Sequence, residues 1–263
     1  LSIKNAIQEL FKGKCNLALL YFAGHGSFDE DIEEGLIIPS DYKRGMNEIR
    51  ISDILNWANA ATEIENKVII LDCCQAGSAG ENRALRHHAS VIGSGVTIMT
   101  ACSRLEYASE IDGHGVFTSL LQQALQGGAN NVLGHVTTGS LYSFVDSALG
   151  PWEQRPIFKT NIASFCALRE MVPLVPLNTL RRLPEWFADV HSEYLLTPQH
   201  EDTVSSHDPN LVAIFKQLQN CNRHSLVEPV DAEHMYYAAI NSKSCRLTAL
   251  GAYYHSLVVK GRI

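Results

Sequence analysis

The chain has 263 residues, a formal net charge of -7, and hydrophobic and charged shares of 46% and 19%. That composition belongs to a folded globular protein with room for one large domain, or one medium and one small, and excludes a disordered chain. With no Lys/Arg cluster, nucleic acid is not an expected partner. No apolar run approaches the roughly 20 residues of a membrane span, so none is expected to enter a membrane.

Ile3, Ile7, Leu10 and Phe11 recur at helical spacing and predict an opening amphipathic helix. The apolar run Leu17 to Phe22 then predicts a strand entering Ala23-Gly24-His25-Gly26. An acidic loop follows (Asp29, Glu30, Asp31, Glu33, Glu34), then a short strand Leu36-Ile37-Ile38 ended by Pro39. Ser52 is a candidate N-cap for a helix through Ile54, Leu55 and Trp57, because its hydroxyl can accept a first-turn N–H. A second buried-looking strand, residues 67–71, enters Asp72-Cys73-Cys74-Gln75-Ala76-Gly77.

Residues 77–95 are rich in small and polar groups and predict a loop after a short helix. Val96 to Thr100 predicts a third strand, Val116 to Leu125 a helix ended by Gly127-Gly128, and residues 138–148 another helix. Prolines 151, 156, 173 and 176 break the pattern and mark a domain boundary near 165–180. Beyond it come a helix around 209–219, a Tyr-rich strand near 234–240 and a last helix near 247–258. Alternating helices and strands predict an α/β fold with a mostly parallel central sheet and helices on both faces.

The seven cysteines (Cys15, Cys73, Cys74, Cys102, Cys166, Cys221, Cys245) are odd in number and irregular in spacing, which argues for a reducing, cytoplasmic setting over a disulfide framework. No Cys-x-x-Cys or His-x-x-x-His spacing offers a zinc site, and adjacent His87-His88 read as loop residues. The acidic loop lacks the EF-hand pattern and reads as a solvated surface, so no metal or cofactor is expected, and calcium activation has no motif behind it.

Two strand ends carry the chemistry. If the strands are parallel neighbours, both ends emerge at the carboxyl edge of the sheet, where open α/β folds bind ligands. An imidazole and a thiol brought together there make a nucleophile with its base. Side chains alternate along a strand, so Cys73 and Cys74 begin by pointing opposite ways. A His flanked by two glycines after a strand end has no packing reason for both of them, while small Ala76 and Gly77 would let a substrate backbone approach.

Tyr21-Phe22-Ala23-Gly24-His25-Gly26 and Asp72-Cys73-Cys74-Gln75-Ala76-Gly77 resemble the His-Gly and Asp-x-Cys-x-[Ser/Ala]-Gly blocks of caspase-like peptidases, a group of caspases, metacaspases and bacterial relatives. The His lies about 50 residues before the Cys, as that group's signature has it. Thr100-Ala101-Cys102-Ser103 and Gly115-Val116-Phe117-Thr118 resemble the group's next strand and helix. The resemblance covers roughly residues 1 to 165 and leaves 166–263 as a small C-terminal α+β module, for regulation or docking, compatible with a winged-helix-like fold. It also implies a further strand and helix before residue 1.

By that resemblance Cys74 is the nucleophile, two residues after Asp and three before Gly, with Cys73 packing. His25 is the general base and acid, and the backbone N–H groups of Gly26 and Cys74 face the oxyanion. Asp72 would line the S1 pocket and pair with Arg or Lys at P1, as in metacaspases. Arg104 would instead favour an acidic P1, as arginines do in caspases, and Gln75 is closer to the caspase pattern. The expected activity is cysteine endopeptidase, with a polypeptide substrate and an activating protein or self-association through the C-terminal module. The resemblance also suggests an effector of defence or programmed death. An inactive scaffold and a non-peptidase thiol hydrolase stand as alternatives.

Overall fold

The computed structural model describes residues 2–31, 34–40, 42, 48–73, 92–101, 110–111, 114–149, 156–162 and 166–263. These divide into two compact units: Leu1–Asn130 with His135–Met171, and Asn131–Gly134 with Val172–Ile263.

The first unit is built on a sheet of order β3-β2-β1-β4-β5-β9 among the described residues. Its strands are β1 (Cys15–Asp29), β2 (Glu34–Ile38), β3 (Ile49–Arg50), β4 (Ile64–Cys73), β5 (Val96–Thr100) and β9 (Ile157–Asn161). The centre is parallel: β1 runs with β4 and β4 with β5. Antiparallel strands flank it, β2 and β3 on one side and β9 on the other. Strand β9 falls between the prolines that mark a break in the sequence. It forms because Ile157 to Asn161 find an open edge at β5.

Strand β4 is the axis of the unit. Of its ten residues only Glu65 is exposed, the profile of a strand with neighbours on both edges and layers on both faces. Ile69, Leu71 and Cys73 face one core with Ile7, Phe11, Ile51, Ile54 and Leu55. Those partners come from helices α1 (Ile3–Leu10) and α2 (Ile51–Ala60) and from the residue after α1. Val68 and Ile70 face the opposite core with Phe117, Leu121, Leu141 and Val145. That layer is supplied by α3 (Val116–Gln123) and α4 (Thr138–Leu149). Helices therefore cover both faces of a sheet with a parallel centre, as the sequence predicts.

Ends of elements depart from expectation in two places. Ser2 caps α1, its hydroxyl accepting the Asn5 N–H at 3.3 Å. Ser52 does not cap α2, which begins at Ile51 with no side-chain cap from Arg50. Instead the Ser52 N–H donates to Glu34 Oε1 at 3.2 Å, so a carboxylate from β2 sits at the positive end of the helix. Glu34 is accordingly a buried residue and not part of a solvated acidic loop. Helix α3 stops at Gln123, and a π turn over Ala124–Gly128 closes it, with Gly127 at φ 129, a backbone state that favours glycine. The smaller pairs are β6 (Glu110–Ile111) with β7 (His114–Gly115), and β8 (His135–Thr137) with β10 (Ala167–Glu170).

The second unit holds an antiparallel sheet of order β11-β13-β12, from Glu193–Leu195, Ser244–Leu247 and Val227–Val230. Helices α5 (Leu177–Leu180), α6 (Leu183–Trp186), α7 (Pro209–Arg223), α8 (Met235–Ile240) and α9 (Ala249–Val259) complete it. Its core gathers Leu180, Phe187, Phe215, Leu218, Leu226 and Tyr254. The Tyr-rich segment expected as a strand is helix α8. Met235, Ala238 and Ala239 are its buried residues, while Tyr236 and Tyr237 stay exposed. Burial at helical spacing outweighs the strand preference of the tyrosines. No described helix is long and apolar enough to cross a membrane.

Candidate active site

Strands β1 and β4 pair in parallel from Cys15↔Ile64 to Gly24↔Cys73, with Ala23 opposite Asp72. At His25 strand β1 changes partner and runs antiparallel to β2, with His25 opposite Ile38 and Gly26 opposite Ile37. His25 is thus the first residue past the last parallel pair, exposed at the carboxyl end of β4. Cys74 follows Cys73 directly in the chain and lies outside the described residues, as do Arg104, Gln75, His87 and His88.

The described cysteines sit in different surroundings: Cys15 is exposed, Cys166 intermediate, and Cys73, Cys221 and Cys245 are buried. Cys73 is 2% exposed and packed into the core shared with α1 and α2, the behaviour of a small apolar residue. Burial pushes the Cys221 and Cys245 thiols up to about 12, with neighbouring charges adding to Cys245. At neutral pH such thiols stay protonated and inert. Cys166 is raised as well, by burial and then by the charge of Glu65. None of Cys15, Cys73, Cys166, Cys221 and Cys245 is in a disulfide.

Gly24 has a packing role that the sequence does not announce. A Cβ there would lie 3.1 Å from Phe22 Cζ, so the ring folds back over the glycine. One of the two glycines beside His25 therefore has a packing reason of its own.

Asp72 is 8% exposed and points to the α3 face of β4. Thr118 Oγ1 donates to its Oδ2, and Tyr21 Oη lies 2.6 Å from Thr118 Oγ1. Gly115, the N-cap of α3, fits tightly beside it: a Cβ there would stand 2.7 Å from Oδ2. The carboxylate therefore rests against the first turn of α3, whose partial positive charge suits it. Among the described residues no cation forms an ion pair with Asp72. Tyr21 and Thr118 were legible only as strand and helix residues. Glycine at an N-cap with threonine three positions later was the available signal.

The structure thus brings His25, Gly26, Asp72 and Cys73 to one end of two adjacent parallel strands. This is an α/β sheet with polar groups gathered at the carboxyl edge of its central strands. A family model of the caspase domain, peptidase group C14, matches residues 2–165, and the chain belongs to that family, whose members are cysteine peptidases. Among solved structures it is similar to protein GSU0716 from Geobacter sulfurreducens, at 13% identity over 65% of this chain and 79% of that one, TM-score 0.45. It is also similar to caspase-1 from Spodoptera frugiperda, at 13% identity over 64% and 70%, TM-score 0.47. The pro form of the Spodoptera enzyme gives 12% identity over 63% and 72%, TM-score 0.39. No curated protein matches the chain.

Proposed function

We propose that this protein is a cysteine endopeptidase in which Cys74 is the nucleophile and His25 the general base and acid. The observation that supports it is the register: His25 is the residue after Gly24, Cys74 the residue after Cys73, and Gly24 pairs with Cys73 across parallel strands. The inward packing of Cys73 leaves it unsuited to meet substrate.

In this reading His25 takes the proton of the Cys74 thiol, and the thiolate attacks the scissile carbonyl carbon. The carbonyl electrons move to oxygen, which the backbone N–H groups of Gly26 and Cys74 receive. As the C–N bond breaks, His25 returns its proton to the leaving amine, and a thioester remains on Cys74. Water, deprotonated by His25, then attacks the thioester, and the new acid leaves as the thiol is restored.

Asp72 lines the S1 pocket and selects Arg over Lys at P1. Its burial without a cation among the described residues supports this, since a buried carboxylate is costly until paired. The C-terminal unit serves for docking or regulation, a role suited to its exposed Tyr236, Tyr237 and Tyr253. Fluorogenic peptides differing only at P1, with labelling by a peptidyl acyloxymethyl ketone, test the whole reading. Cleavage after Arg, with labelling lost in Cys74→Ala, is expected. An acidic P1 preference would shift selectivity to Arg104. Labelling without peptide cleavage would indicate a non-peptidase thiol hydrolase, and neither signal an inactive scaffold.

A further inference from the structure

We infer that Thr118, held by Tyr21, is a specificity-determining positioning residue that fixes the plane of the Asp72 carboxylate, and that Gly115 supplies the space this requires. The inference rests on the reading of Asp72 as the S1 carboxylate.

The direction of the hydrogen-bond chain follows from the chemistry of its ends. An ionised carboxylate only accepts, so the Thr118 hydroxyl donates its single proton to Asp72 Oδ2. Thr118 Oγ1 is then an acceptor toward Tyr21, whose hydroxyl at 2.6 Å must be the donor. Three side chains from three elements, β1, α3 and β4, are locked in one order, and each bond polarises the next. Gly115 stands against the same oxygen, where any Cβ would come within 2.7 Å of it. Rotation of the carboxylate about its Cβ–Cγ bond is thereby restricted, while the second lone pair of Oδ2 and both of Oδ1 stay available to a substrate N–H.

A fixed carboxylate plane matters to one class of ligand. A guanidinium reads the plane, because its parallel N–H bonds need both oxygens aligned, whereas an ammonium approaches as a point charge. The Tyr21–Thr118 chain therefore contributes more to Arg than to Lys at P1. It also acts without touching the substrate.

The test measures kcat and KM of the full chain on two fluorogenic tripeptides that end in Arg or Lys, for Thr118→Val, Thr118→Ser, Tyr21→Phe and Asp72→Asn. Thr118→Val keeps the shape and removes the donor. Loss of one hydrogen bond to a charged group is expected to raise KM for the Arg peptide about tenfold, with kcat nearly unchanged and a smaller rise for Lys. Thr118→Ser restores the Arg preference. Tyr21→Phe, at an exposed position that tolerates change, raises the Arg KM about twofold to threefold, and it carries the test alone should Thr118→Val fail to fold. Alkylation of Cys74 by iodoacetamide should proceed at the wild-type rate in Thr118→Val, Thr118→Ser and Tyr21→Phe. If Asp72→Asn removes the Arg preference while Thr118→Val and Tyr21→Phe leave it intact, the positioning role is wrong and the S1 reading stands. An Arg preference that survives Asp72→Asn overturns the S1 reading itself, and this inference with it.

Discussion

Strands β1 and β4 lie side by side in register, yet they are exposed very differently. β4 buries nine of its ten residues, all but Glu65. β1 buries Ala18 and half-buries Leu20 and Phe22 on the α1–α2 side. Its other face leaves Leu19 44% and Tyr21 45% exposed beside a groove of about 490 Å³. The contrast follows from neighbours. β4 has strands on both edges, whereas residues 15–24 of β1 pair only with β4 among the described residues. Packing therefore fixes the end of β4, and the backbone ladder fixes the end of β1. The residues of the site are held by different means on its two sides.

The sharpest way to test that contrast is at the end of β4. Cys74→Ala should abolish peptide cleavage, a loss of several orders of magnitude in kcat/KM, with unchanged circular dichroism. Cys73→Ala should retain most activity and instead cost about 1–2 kcal/mol of stability, since it opens space in a closed core. Kinetics and urea melts on the pair check this. Equal loss of activity from both changes would show that the alternation along β4 does not continue as argued.

At the end of β1, His25→Ala should be nearly as damaging at pH 7, because most of the thiol then stays protonated. Residual activity should climb toward pH 8.5, roughly the pKa of an ordinary thiol. As His25 is exposed and held by the ladder, the change should leave thermal stability almost untouched. A pH–rate profile beside a melting curve separates the two effects. Wild-type rates at pH 7 would break the dyad.

The strands themselves should answer unequally to truncation. Leu71→Ala, at 0% exposed, is expected to cost about 2–5 kcal/mol. Leu19→Ala, nearly half in solvent, should cost about 0.5 kcal/mol or less. Denaturant midpoints at constant slope give both numbers. Similar losses would mean that the open face of β1 is covered in solution.

What could be read in the sequence was what depends on near neighbours. The β-branched run of β4 and the strand ends carrying His25 and Asp72 announce themselves, because burial on both faces demands such residues. Caps and pairings that cross the chain do not. Glu34 takes over the start of α2 from 18 residues away. Thr118 reaches Asp72 across 46 residues and Tyr21 across 97. The same limit explains α8, where tyrosines suggest a strand until the burial of Ala238 and Ala239 is known. It also explains Gly24, whose partner Phe22 is close in sequence but folds back only in three dimensions.

β4 carries one more feature that its apolar run conceals, a buried cation near its start. Lys67 is 3% exposed, and its ammonium donates to Ile64 O at 3.0 Å and Ser94 O at 2.8 Å. Burial lowers its pKa below the ordinary 10.5, because desolvation disfavours the charged form. In the window between the lowered folded value and 10.5 the unfolded chain binds more protons than the folded one, so this group makes stability rise with pH there. Below that window the folded state carries the full penalty of a desolvated cation, and above it the penalty is gone. Lys67→Met removes the penalty and also leaves two carbonyls without their donor, and these effects oppose each other. The net change at pH 7 should be small, about 1 kcal/mol or less. Wild type should then gain on Lys67→Met as pH rises toward 10.5, since the variant has nothing to titrate at that position. Urea midpoints of both proteins at pH 8 and pH 10 measure the difference, and a wild type that instead loses ground would reverse the sign of the shift. Asp72 lies five positions beyond Lys67, about 16 Å along the strand, so kcat/KM should not change.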